Sequence, residues 1–187
     1  TGIHGGRVSL LAALALAGSA AEAFDFNGRK NLTAVTADGA STPLGSIDFT
    51  PTAGASATFR LALKTEVFTD HFLSMREFKC LSAAKEISCH VPYPYQNPAT
   101  VGPGQLAWLE HSLLFLTKSP AEFGAKLWNG VYYEFQEQGA ALVGTPKAVD
   151  LNEISAPPRD PSTPPFKKAL RHDMPAQARW LRELVIE

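Results

Sequence analysis

The residues of this chain best suited to chemistry gather between Asp70 and Tyr95: Asp70-His71, Ser74, Arg76, Lys79, Cys80, Cys89, His90, Tyr93 and Tyr95. Arg76 is the sharpest of them. If it shares a strand face with Phe78, Tyr93 and Tyr95, a guanidinium stands among aromatic rings, where burial is costly without an anion opposite. Such an arginine can grip an anionic ligand group through paired N–H donors while stacking on Tyr93. The competing reading is an internal ion pair with a carboxylate such as Asp48 or Glu134. His71 and His90 complete the candidate ligand-binding set of Arg76, Tyr93, Tyr95, His71 and His90. As metal ligands the two histidines are poorly spaced, because zinc takes three or four donors at recognisable intervals and no H-x-x-x-H occurs. No metal and no cofactor are expected.

Nucleophilic hydrolysis requires a nucleophile, a base and an orienting acid within reach of one another. Ser74, His71 and Asp70 are the right types. Neighbouring residues of a strand point to opposite faces, however, so Asp70 is badly placed to orient His71. No G-x-S-x-G elbow is present. Asp48, Glu66, Glu110 and Glu134 carry no spacing that singles out a carboxylate pair for glycosidic chemistry. Glu110-His111 beside Trp108 reads as a solvated helix end. Trp128, Tyr132, Tyr133 and Phe135 read as core aromatics at strand spacing rather than as a ligand pocket.

The elements that must position these groups read as short strands. Leu32–Thr36, Leu44–Thr50 and Thr58–Lys64 favour β structure, and in the last Phe59, Leu61 and Leu63 alternate onto one face. Phe72–Leu81 and Ile87–Tyr95 read as two further strands. With Cys80 opposite Cys89, Phe72, Ser74, Arg76, Phe78 and Cys80 share a face with Val91, Tyr93 and Tyr95. Leu73, Met75, Glu77, Lys79 and His90 then take the other face. A disulfide at that pair would forbid a one-residue slip and so pin the register. Leu106–Glu110 suggests a helical turn leading into a strand at Ser112–Thr117. Ser119-Pro120-Ala121-Glu122 has the form of a helix start, with a serine cap, proline at the first position and glutamate three residues on. Val131–Gln136 and Ala141–Asp150 make a second hairpin around Glu137-Gln138-Gly139. Beyond Ile154 prolines crowd an extended tail, and Ala178–Glu187 returns to the apolar character of a segment that docks.

Arg7, the apolar run Val8–Ala17 and the A-x-A cleavage site in Gly18-Ser19-Ala20-Ala21-Glu22-Ala23 have the three-part form of a secretory signal peptide. The run is too short for a membrane helix, which takes about 20 residues. The mature chain is thus expected to begin near Phe24 and to work in the periplasm or outside the cell, where Cys80 and Cys89 would be oxidised. The chain opens at Thr1 without a methionine, which reads as an incomplete start, so Thr1 to Gly6 carry no fold argument. With 17 basic and 18 acidic residues and a net charge of −1, no basic stripe for nucleic acid is expected.

The segments Phe72–Cys80, Cys89–Tyr95 and Trp128–Tyr133 are similar to stretches of uncharacterised secreted bacterial proteins, a resemblance that brings no activity with it. The expected architecture is α+β and mainly β: a curled antiparallel sheet or small β-barrel with one or two short helices. Residues 1–23 form the signal peptide and 24–155 the β-rich domain. Residues 156–187 form a proline-rich tail and docked C-terminal segment of the same domain. The expected function is that of an exported, non-enzymatic binding protein of the bacterial cell envelope with a small-molecule pocket. A cell-envelope hydrolase with a histidine base and a partner protein acting through the tail are the alternatives.

Overall fold

The computed structural model describes Gly2, residues 22–73 and residues 76–187. The expected signal segment lies almost wholly outside the described residues, as do Ser74 and Met75. Eleven strands form one antiparallel sheet: β1 Gly28–Thr36, β2 Ser41–Pro51, β3 Ala57–Leu63, β4 Thr69–Leu73, β5 Arg76–Ser82, β6 Ile87–Val91, β7 Thr100–Val101, β8 Leu114–Lys118, β9 Gly130–Gln138, β10 Ala141–Val149 and β11 Leu181–Ile186. Their spatial order is β4-β5-β6-β8-β9-β10-β11-β1-β2-β3-β7. The sheet curls without closing, so of the two expected forms it is the open one. One α-helix, α1 Ala107–His111, and four short 3-10 turns are the helical elements among the described residues. No helix among them is long and apolar enough to cross a membrane.

The sheet is buried on both faces over its centre, and this explains the sequence pattern there. In β8, Leu114 and Leu116 join one apolar cluster while Phe115 joins the other. Both sides are covered, so the strand is a continuous apolar run instead of an alternating one. Tyr132 and Tyr133 in β9 likewise point into opposite clusters, and each is essentially fully buried. The first cluster lies against β1–β3, β11 and α1. The second lies on β5, β6, β8 and β9 and is covered by Leu151 and Ile154 of the 3-10 turn after β10 and by Phe166 of the tail. The proline-rich tail is therefore a strap across an outer face. Ala148 exchanges both backbone hydrogen bonds with His172, at 2.8 and 2.9 Å, and fastens the strap to β10.

The Cys80–Cys89 disulfide is formed, and the two residues stand directly opposite each other in the β5–β6 ladder. Closing so short a loop contributes roughly 2–3 kcal/mol in the chain-entropy account. The segment Phe72–Leu81 is not one strand. The chain reverses between Leu73 and Arg76, which pair with each other, and His71 pairs with Phe78. The reversal moves Leu73 and His71 onto the face of Arg76 and Phe78 and moves Phe72 off it. Leu73 is buried, and Phe72 is 72% exposed.

Two other local expectations shift. Ser119–Glu122 makes the reciprocal bonds of a helix start, Glu122 N–H to Ser119 O at 3.1 Å and Ser119 N–H to Glu122 Oε2 at 3.1 Å. No helix follows, because Gly124 takes a left-handed φ of 70° and turns the chain away. The C-terminal segment, read as a docked end, is a strand inside the sheet: β11 lies between β10 and β1.

A bulge in β2 inserts Leu44 between Gly45, which faces Leu32, and Pro43, which faces Thr33. The bulge turns Leu44 into the core, fully buried. A Cβ on Gly45 would fall 2.1 Å from the Ala62 carbonyl oxygen of β3. Gly45→Ala is accordingly expected to cost about 1–3 kcal/mol through forced backbone movement. Urea unfolding should show it as a lowered midpoint at unchanged slope.

Candidate functional site

Arg76 opens β5 at the surface, and its guanidinium carbon lies 4.8 Å from the centre of the Phe78 ring. Below it is an open cleft of about 210 Å³ with walls from Phe78, Val91, Leu116, Leu127, Leu151 and Ile154. The sheet supplies one wall and the root of the strap another. Arg76 is the charged residue in this lining. It makes no ion pair among the described residues. Asp48 is taken by Arg29, at 2.8 and 3.0 Å, and by Arg60 at 3.6 Å, while Glu134 is taken by Arg171 at 3.0 Å.

The other expected ligand residues do not line this cleft. Strand β6 ends at Val91, since Pro92 and Pro94 cannot donate to a ladder. Tyr93 and Tyr95 therefore sit beyond the pairing, behind the two prolines. Tyr95 donates its hydroxyl to Ile154 O at 2.9 Å and so holds the root of the strap. Tyr93 packs edge-on against Tyr95 and His111, with ring centres 5.7 Å apart in each case, and its hydroxyl is buried without a partner among the described residues. His71 stands half-buried on the Arg76 face of the sheet, paired with Phe78. His90 points to the opposite face and donates from Nε2 to Ser112 O at 2.9 Å. Burial lowers its pKa, an effect only partly offset by that hydrogen bond. The two histidines thus cannot share a site. Asp70 pairs with Lys79 at 2.6 Å, away from His71. Among the described residues no group of three or more His, Cys, Asp or Glu is arranged to hold a metal ion.

A second constellation was not legible in the sequence. Glu110 and His111, at the end of α1, are 4% and 0% exposed, so the expected solvated helix end is instead a buried polar centre. Glu110 accepts the Tyr132 hydroxyl at 2.7 Å on one carboxylate oxygen and the Phe135 N–H at 2.6 Å on the other. Arg171 of the strap lies over the Tyr132 ring at 4.2 Å, with Nη1 at 3.0 Å from Glu134 and 4.0 Å from Glu110. Its Nε donates to Phe166 O at 2.9 Å. His111 donates from Nδ1 to Ala107 O at 2.6 Å and accepts the Phe166 N–H on Nε2 at 3.1 Å. These two bonds fix its neutral tautomer.

Burial raises the Glu110 carboxyl, while the Tyr132 hydroxyl, the Phe135 N–H and Arg171 pull it back. Burial pushes His111 down to about 4; the bond to Ala107 opposes this and Arg171 adds to it. Tyr132 is raised by burial and by Glu110. A cleft of about 310 Å³ opens beside Glu110, Glu134, Lys168 and Arg171. Both Glu110 oxygens accept hydrogen bonds from within the protein, one from the Tyr132 hydroxyl and one from the Phe135 N–H. The constellation is built to anchor the strap, since it satisfies both backbone groups of Phe166.

In comparisons with protein-family models, curated proteins and solved structures, the chain has no match.

Proposed function

We propose that this chain is an exported, non-enzymatic binding protein of the bacterial cell envelope, and that it takes a small amphipathic anion in the Arg76 cleft. The observation that carries the reading is the lining itself: apolar side chains and one guanidinium held against Phe78. Binding pockets characteristically combine apolar walls with a few polar groups that fix orientation. The cleft volume suits a short alkyl or aryl carboxylate rather than a long lipid chain. Export is supported by the signal-like segment and by the disulfide. A hydrolase using His71 or His90 as base gains no support, because Asp70 pairs with Lys79 and does not orient His71, and His90 is buried and spends Nε2 on a backbone carbonyl.

Calorimetric titration with hexanoate tests the reading. Arg76→Ala is expected to weaken binding about tenfold or more, the loss of a charge-assisted contact. Arg76 is exposed, so the melting temperature should stay within a degree or two. Equal affinity in the two proteins, or no binding to either, would overturn the proposal.

A further inference from the structure

We propose that the contact between His111 and Phe166 is an acid-sensitive latch that holds the middle of the strap against the sheet. The strap is pinned at three points: Tyr95 on Ile154 O, His111 and Arg171 on Phe166, and Ala148 on His172. The outer two pins do not titrate in a way that breaks them, because their acceptors are backbone carbonyls. The middle pin differs. It requires Nε2 of His111 to be an acceptor, and protonation converts that nitrogen to a donor facing another N–H at 3.1 Å. Nδ1 cannot take over, since its proton is committed to Ala107 O. Phe166 is fully buried, stacked on His111 with ring centres 5.7 Å apart, so its backbone cannot tilt away while the ring stays in place.

The groups around His111 decide the direction. From the strap comes Arg171, a cation that disfavours a second positive charge. From β9 and the segment after β6 come Tyr132 and Tyr93, which present rings, and the Tyr132 hydroxyl is spent on Glu110. Among the described residues no carboxylate bonds to or pairs with the imidazole, and the Glu110 oxygens turn to Tyr132 and Phe135. The imidazole is held at about 4, against an ordinary value of 6.5. The open form therefore takes up the proton first, and the closed form loses ground as pH falls from about 6.5 toward 4. Glu110 works the other way: burial raises its carboxyl, so its protonation favours the closed network and opposes the opening that His111 drives. The latch would operate whether or not the Arg76 cleft binds anything.

Hydrogen exchange followed by mass spectrometry on the full chain, corrected for intrinsic rates, tests it. Peptides spanning 157–171 should lose protection tenfold or more, relative to β9 peptides, between pH 6.5 and pH 4. His111→Gln keeps an acceptor without titrating, and there the ratio should stay flat. Unchanged strap protection, an equal loss in β9, or an equal loss in His111→Gln would each overturn the latch. If that variant does not fold, the ¹⁵N titration of the His111 ring in the unaltered protein replaces it. Its midpoint must coincide with loss of Phe166 amide protection, and separate midpoints would overturn the proposal.

Discussion

Removal of residues Leu181–Glu187 is expected to abolish the folded state. These residues include the whole of β11, which joins the two halves of the sheet: β1, β2, β3 and β7 on one side, and β10, β9, β8, β6, β5 and β4 on the other. Leu181, Leu184 and Ile186 are fully buried, and the buried Tyr133 hydroxyl donates to Leu181 O at 2.8 Å. Deleting a buried aliphatic side chain costs about 2–5 kcal/mol, and three of them match the whole stability of an ordinary domain, about 5–15 kcal/mol. Two unpaired strand edges, on β1 and β10, would add to the loss. The check is amide dispersion in an NMR spectrum of the truncated chain, with a peptide covering 178–187 then added in trans. A collapsed spectrum that regains dispersion with the peptide is expected. A truncated chain that still melts cooperatively would show that β11 is dispensable.

Arg171→Ala should be the most damaging single substitution in the strap, at about 3–5 kcal/mol. Arg171 is 10% exposed and faces Glu134 at 26% and Glu110 at 5%. Removing one partner from a buried ion pair leaves the other charge uncompensated, which costs far more than the pair contributes as a whole. The substitution also removes the donor to Phe166 O and the cation over Tyr132. Glu110→Gln would partly rescue it, because the side-chain amide that replaces the carboxylate could still accept from Tyr132 and carries no net charge to compensate. Urea unfolding of the single and double variants measures this coupling. A loss below about 1 kcal/mol in Arg171→Ala, or no rescue, would mean that the network is peripheral to stability.

The contrast between what was legible and what was not follows the range of the interactions. Cys80 and Cys89 fix each other's register locally, so the β5–β6 hairpin could be placed from the sequence. The alternation in Thr58–Lys64 and the β9–β10 hairpin are equally local. The reversal between Leu73 and Arg76 was missed because Phe72–Leu81 contains no Gly, Pro or Asn to mark a turn. Strand β8, covered on both faces, loses the alternation that would distinguish it from helix.

The Glu110 centre was out of reach for another reason. Its members are 22 residues apart for Glu110 and Tyr132, and 55 apart for His111 and Phe166. Nothing in the local sequence says which of many Glu, Tyr and Arg residues will meet. Arg76 does lie over Phe78, but the tyrosines expected to share its face were placed on a strand that Pro92 cuts short. Tyr93 and Tyr95 became supports of the strap, and the cleft walls came from Leu127, Leu151 and Ile154 instead.

The most direct test of the binding account is to map hexanoate onto the protein by NMR, following methyl and arginine side-chain resonances during titration. Saturable shifts are expected at Arg76 Nε and at the methyl groups of Val91, Leu116, Leu151 and Ile154, with Arg76→Ala abolishing them. Shifts centred on Lys168, Arg171 and Leu106 would place the ligand in the other cleft, beside Glu110, and would contradict the assignment; so would a spectrum that does not change.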